Sequence, residues 1–149
     1  MTARLSPLGP LGLVTSPLLR CRETAAGLAS AWNTSARIEP GVAEIPSPEG
    51  VAMADRVEWL RLAMAGPWSA MGLRYTSFRD GVAATVRALR IDTVVTSHFI
   101  AINAVIGAAL SDDRMVIRSL DNCSVTVIDV VDGVLHLVEG GHEADTLVR

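Results

Sequence analysis

The sequence predicts an α/β fold: a three-layer α/β/α sandwich with a mainly parallel sheet and an antiparallel C-terminal hairpin. Three observations predict it. Short apolar runs with β-branched residues, at Leu11–Thr15 and Asp92–Ser97, alternate with longer stretches of helical period. Both runs are apolar without alternation, as strands buried on two faces of a parallel sheet are. Farther on, Asp132-Gly133 separates two apolar runs, a two-residue hairpin signal. With 149 residues, 50% of them hydrophobic, the chain amounts to one domain and can bury one sizeable core.

The elements follow in order. Met1 to Pro10 contains Pro7, Gly9 and Pro10 and reads as a loop or a frayed helix end. Leu11–Thr15 is the first buried strand. Ser16-Pro17 then starts a helix over Pro17–Trp32, with Ser16 as N-cap and Pro17 in the first helical position. Leu18, Cys21, Ala25, Leu28 and Trp32 recur at steps of three and four and form its apolar face. Arg37–Val42 reads as a second strand, and Ala43–Gly50, with its two prolines, as a loop. A helix over Val51–Ala65 carries Val57, Leu60 and Met64 as its stripe, and Gly66-Pro67 ends it. An irregular stretch with Trp68 and Met71 leads to a helix over Ser77–Arg90, whose stripe is Phe78, Val82, Val86 and Leu89. Asp92–Ser97 is the next strand. His98–Leu110 is a helix too apolar for a surface position. Met115–Ile117 reads as a short strand, and Ser124–Val131 with Val134–Glu139 as the hairpin. From Gly140 the tail is polar and expected to be loosely held.

Composition excludes some function classes. The formal net charge is -3 and no basic cluster occurs, so no nucleic-acid partner is expected. No apolar run reaches the roughly 20 residues that span a bilayer, and the N-terminus has no signal-peptide pattern. No membrane association is expected, and a cytoplasmic location is. Cys21 and Cys123 have neither metal-ligand nor disulfide-framework spacing and read as buried small hydrophobes. Neither a metal nor a cofactor is expected.

One internal similarity points to a site. LVTSPLLR, from Leu13 to Arg20, and VVTSHFIA, from Val94 to Ala101, are both strands that end in Thr-Ser and pass straight into a helix. In open α/β sheets ligands bind beyond the carboxyl ends of the parallel strands. Helix N-termini there offer backbone N–H groups and partial positive charge to an anion. Arg20 and His98 both fall at this mouth. Each alone reads as a solvated or structural residue, as does Glu44 in its Pro-rich loop. Arg20 in a first helical turn even opposes the helix dipole, which an anion between them would relieve. A phosphate or sulfate anion suits the combination.

SPLLRCRETA, from Ser16 to Ala25, resembles the histidine phosphatase pattern Ser-x-Leu-x-Arg-Ala-x-x-Thr-Ala. DTVVTSH resembles the strand ending in Ser-His of that superfamily, which is also described as phosphoglycerate mutase-like. Val42-Ala43-Glu44 with Glu49-Gly50 is similar to its Leu-x-Glu … Glu-Gly loop, and Asn122–Gly133 to its closing Asn-x-Ser strand and hairpin. The resemblance implies a phosphatase or mutase that acts on a small phosphomonoester through a phosphohistidine intermediate. It implies Arg20 as a phosphate clamp, His98 as a second, catalytic pocket residue and Glu44 as the acid/base. Arg22 receives no role.

Two departures set further expectations. The superfamily's nucleophile lies in an Arg-His-Gly on its first strand. The three histidines here, His98, His136 and His142, lie in no such motif. The expectation is therefore an N-terminally truncated domain over residues 1–149, with Thr2–Leu5 as the end of a first helix and without turnover of its own. Phe99 stands where the superfamily usually has Gly, which narrows the mouth. A catalytically inactive member that binds a phosphorylated ligand or partner is the alternative. An absent strand between Leu11–Thr15 and Asp92–Ser97 would leave open edges, so a homodimer is expected. Specificity is assigned to an insertion over residues 44–75, whose Trp59, Trp68 and Met71 read as an apolar lid or as core.

Overall fold

The computed structural model describes residues 1–141. A single helical turn, α1 (Thr2–Leu5), and a 3-10 turn lead into β1 (Gly12–Thr15) and α2 (Leu19–Ala31). Then come β2 (Arg37–Ile38), α3 (Arg56–Met64), α4 (Leu73–Arg87), β3 (Thr93–Thr96) and α5 (Phe99–Leu110). The chain closes with β4 (Thr126–Val131) and β5 (Val134–Gly140). Three strands form a parallel sheet in the order β2-β1-β3, and β4-β5 is a separate antiparallel pair. The expected mixed α/β architecture is present. The hairpin stands apart as its own sheet, not as an edge of the parallel one. Its Asp132 and Gly133 both have positive φ, at 51° and 77°, as a type I′ turn requires.

Period-2 alternation sends Leu13 and Val14 to opposite faces of β1. Leu13 packs with Leu5, Ala25, Leu28 and Trp32, which joins α1 and α2 to the sheet. Trp32 also donates from its indole nitrogen to the Ser6 carbonyl over 2.9 Å. A Cβ at Gly9 would collide with that indole, so only glycine fits there. Val82 and Ala83 of α4 pack with Ala101 and Val105 of α5 and Leu135 of the hairpin. A third cluster holds Ile45, Trp68, Tyr75, Ile100 and Met115, with Trp59, Met71 and Phe99 against it. Ile45, Ala63, Trp68 and Tyr75 thus join one core with Ile100 and Ala104 of α5, and Trp68 is fully buried.

Several expected boundaries are corrected. The helix placed at Pro17–Trp32 begins at Leu19, with an extended Leu18 before it, because Ser16 is engaged elsewhere. The strand placed at Arg37–Val42 stops at Ile38: Pro40 has no N–H for the ladder, and the Glu39 carboxylate takes the Gly41 N–H. The helix placed at Val51–Ala65 begins at Arg56. Its face is turned, so Val57 is 75% exposed and Ala63 is buried. The helix placed at Ser77–Arg90 begins at Leu73, after Gly72 at φ 82°, and brings Tyr75 into the core.

Two corrections concern the sheet. β1 and β3 pair directly, from Gly12↔Thr93 to Thr15↔Thr96, so no open gap lies between them. Among the unpaired edges are those of β3 and β4. They border a cavity of about 480 Å³ lined by Val94, Val95, Val127 and Ile128, among others. That cavity is why Thr93, Val94 and Val95 are only partly buried, where two-sided burial was expected. His136 lies exposed on β5, and His142, with the rest of the tail after Gly141, lies outside the described residues. Among the described residues no helix is long and apolar enough to cross a membrane.

Met115–Ile117 forms no strand, and Asn103 explains what replaces it. This fully buried side chain sits in an otherwise apolar helix. Its Oδ1 accepts from the N–H groups of Ile117 and Arg118 at 2.8 and 2.9 Å, and its Nδ2 donates to the carbonyls of Phe99 and Arg118. One amide thus performs the work of a ladder partner. Replacing Asn103 with Leu removes all four hydrogen bonds from a fully buried position. Urea unfolding should show a loss of about 2–3 kcal/mol, since each buried unsatisfied group costs roughly 1–3 kcal/mol.

Candidate functional site

The site forms where β1 and β3 end side by side. Their register sets Thr15 against Thr96, and the Ser16 N–H donates to the Thr96 carbonyl over 2.9 Å. The Thr96 hydroxyl lies 2.8 Å from Thr15 Oγ1 and 3.1 Å from the Cys21 carbonyl, which ties the start of α2 to both strands. His98 is the N-cap residue of α5, and Arg20 lies in the first turn of α2. The two parallel strands therefore deliver both helix N-termini to one point.

A third segment is held by β3 across a long sequence separation. The Ser97 hydroxyl donates to the Val42 carbonyl over 2.7 Å, and this fixes the loop that carries Glu44. Arg20 Nη2 donates to Glu44 Oε2 at 3.0 Å and contacts His98 Nδ1 at 2.8 Å. Glu44 Oε2 is also 3.5 Å from His98 Nδ1. On the inner side, Ser16 Oγ is 2.7 Å from His98 Nε2, and Cys21 Sγ is 3.5 Å from the same nitrogen. Side-chain exposure grades outward, from 2% for His98 through 19% for Glu44 to 60% for Arg20. Arg20 is the part of the cluster that solvent, or an anion in solvent, reaches first.

The structure thus brings together all three residues singled out from the sequence, Arg20, His98 and Glu44. Two neighbours escaped sequence reasoning. Ser16 reads locally as a helix cap, and Cys21 as a buried hydrophobe. Cys21 is indeed buried, but its thiol donates to the Ser97 carbonyl at 3.3 Å. The available signal was the shared Thr-Ser ending of the two strands, which places Ser16 alongside Ser97 and next to His98.

Burial pushes the His98 imidazole below its ordinary value of 6.5; the nearby Glu44 charge opposes this and the Arg20 charge adds to it. Burial likewise raises the Cys21 thiol, against the opposing effects of Arg20 and the Ser16 hydrogen bond. A neutral imidazole between an arginine and a carboxylate can accept a proton as an anion arrives. The guanidinium can meet a phosphoryl group with paired N–H donors. Among the described residues no group of three His, Cys, Asp or Glu side chains is arranged to hold a metal ion.

Comparison with known proteins bears on this arrangement. Residues 1–141 match the family model of the histidine phosphatase superfamily, branch 1. The chain belongs to the histidine phosphatase superfamily. Its fold is similar to that of Bacillus stearothermophilus YhfR, with a TM-score of 0.73 and 18% identity over 93% of this chain and 77% of YhfR. It is also similar to the crystal structure of TTHB049 from Thermus thermophilus, with a TM-score of 0.52 and 24% identity over 86% of this chain and 74% of that one. No curated protein sequence matches it significantly.

The displaced imidazole makes stability depend on pH. His98 takes up a proton less readily in the folded chain than in the unfolded one, so its contribution is full above the ordinary value of 6.5. It is lost as pH falls towards the lower folded value. Between about pH 7.5 and about pH 5.5 the urea midpoint should fall, and His98→Gln should remove part of that fall. An identical pH response in the two proteins would count against a neutral buried His98.

Proposed function

We propose that this chain provides the phosphate pocket of a histidine phosphatase that acts on a small phosphomonoester. The observation that carries the reading is the 2.8 Å contact of Arg20 with His98 at the carboxyl ends of two paired parallel strands. Arg20 clamps the phosphoryl oxygens through its exposed guanidinium, and His98 donates a further hydrogen bond once protonated. Glu44, at 3.5 Å from His98 Nδ1 and 19% exposed, is the group placed to pass a proton to the leaving oxygen. In the free chain its carboxylate takes the place an oxyanion would have on Arg20, so ligand binding and release of Glu44 go together. The 44–75 insertion, whose core reaches Phe99 beside His98, sets the shape of the mouth.

The phosphohistidine step needs a nucleophilic imidazole that this sequence carries in no Arg-His-Gly. We assign that step to superfamily proteins that carry the Arg-His-Gly, and phosphate binding without turnover to this chain. A second reading, an inactive member that binds a phosphorylated partner, draws on the closure of the free site: His98 is already hydrogen-bonded on both ring nitrogens.

Titration with phosphate or vanadate tests the pocket. Arg20→Ala should weaken binding about 10- to 100-fold, since a hydrogen bond to a charged group contributes roughly 1.5–3 kcal/mol. Equal affinity in the two proteins would sink the proposal. The purified chain should also show no turnover of an aryl phosphate. Hydrolysis with an acid-labile phosphohistidine would place a nucleophile in the sequence where we see none.

A further inference from the structure

Ser16 and Cys21 have no part in the proposed phosphoryl chemistry, yet both are buried against His98. Relative exposure is 0% for Ser16, 4% for His98 and 5% for Cys21, so their hydrogen bonds must be made within the protein. The two ends of this cluster have fixed roles. A guanidinium only donates, and a backbone carbonyl only accepts. Arg20 Nη2 lies 2.8 Å from His98 Nδ1, so Nδ1 carries no proton and accepts. The neutral ring then holds its proton on Nε2, and Nε2–H donates across 2.7 Å to Ser16 Oγ. The Leu18 N–H donates to the same oxygen over 3.3 Å.

Ser16 Oγ accepts twice, and its own proton has to go elsewhere. Cys21 Sγ lies 3.5 Å from His98 Nε2, and because the Cys21 thiol donates to the Ser97 carbonyl at 3.3 Å, the sulfur faces that nitrogen as a second acceptor. Hydrogen bonds therefore run in one direction from Arg20 through His98 to Ser16, with the Cys21 sulfur beside the same Nε2 and its own proton given to Ser97. Turning the imidazole proton to Nδ1 would set two N–H groups against each other at Arg20.

We propose that Ser16, backed by Cys21, is a positioning residue that holds His98 as the Nε2–H tautomer, with the Nδ1 lone pair turned to Arg20 and Glu44. A proton then enters His98 at Nδ1, on the side of Glu44. Once protonated, Nδ1 can no longer accept from Arg20, and the guanidinium is released. That this release serves an incoming oxyanion rests on the phosphate reading above; the tautomer does not.

The test is the nitrogen-15 NMR spectrum of the imidazole in the full, anion-free chain, at a pH where His98 is neutral, with His98→Gln to assign the signal. The wild type should show a protonated Nε2 and a bare Nδ1. Ser16→Ala should move the ratio towards the Nδ1–H form, Cys21→Ala should move it less, and Ser16→Thr should restore it. A wild-type ring protonated on Nδ1, or averaged between the two forms, overturns the proposal. So does an unchanged ratio in Ser16→Ala; should that variant not fold, an unchanged ratio in Cys21→Ala decides the matter. Because no phosphate is present, this result and the anion titration can fail separately.

Discussion

The parallel pairing of β1 with β3 is the constraint on which the site depends. Its register sets Thr15 opposite Thr96, and every later contact follows from that alignment. Ser16 and Ser97 come next on the two strands. One meets the ring of His98 and the other fastens the loop that carries Glu44. A slip of one residue would turn each side chain to the other face of the sheet. Arg20 and His98 would then no longer meet. The hydroxyl pair of Thr15 and Thr96 pins this register from inside the fold, where water cannot compete.

Much of this was legible in the sequence. The repeated Val-Thr-Ser endings announced two equivalent strand-to-helix switches, and Asp132-Gly133 announced the hairpin with its turn. Other features were hidden because distant partners decide them. Ser16 has the grammar of a helix cap, but its oxygen is 2.7 Å from His98 and only weakly engaged at 3.3 Å by the Leu18 N–H. The helix accordingly starts late. Asn103 looks like a blemish in an apolar run; three of its four hydrogen bonds appear only when residues 117 and 118 fold over it. Val57 fits a helical stripe, yet the preceding turn rotates that helix and leaves Val57 in solvent. Glu44 reaches Arg20 because Ser97 tethers Val42 across 55 residues of sequence, which no local pattern encodes.

The charge arrangement explains how a buried histidine is tolerated beside an arginine. Neutral His98 avoids the cost of burying a cation, and the Glu44 carboxylate balances Arg20 at the rim. The site is electrically quiet at its base and polar at its mouth. Membership of the histidine phosphatase superfamily accounts for the elements that build it. Ser16 and Cys21 both meet the ring of His98 at its base.

The cavity between β3 and β4 has a calorimetric consequence. Its walls are largely aliphatic, with Leu5, Val82, Val94, Ile102 and Ile128 among them. Part of this surface is solvent-accessible in the native chain, Val94 and Val95 being only half-buried. Unfolding therefore exposes less new apolar area than a filled core of the same length would. Apolar exposure sets the heat-capacity increment, at about 0.45 cal/mol/K per Å². The stability curve of this chain is accordingly flatter, and its denaturant slope shallower, than its length alone would dictate.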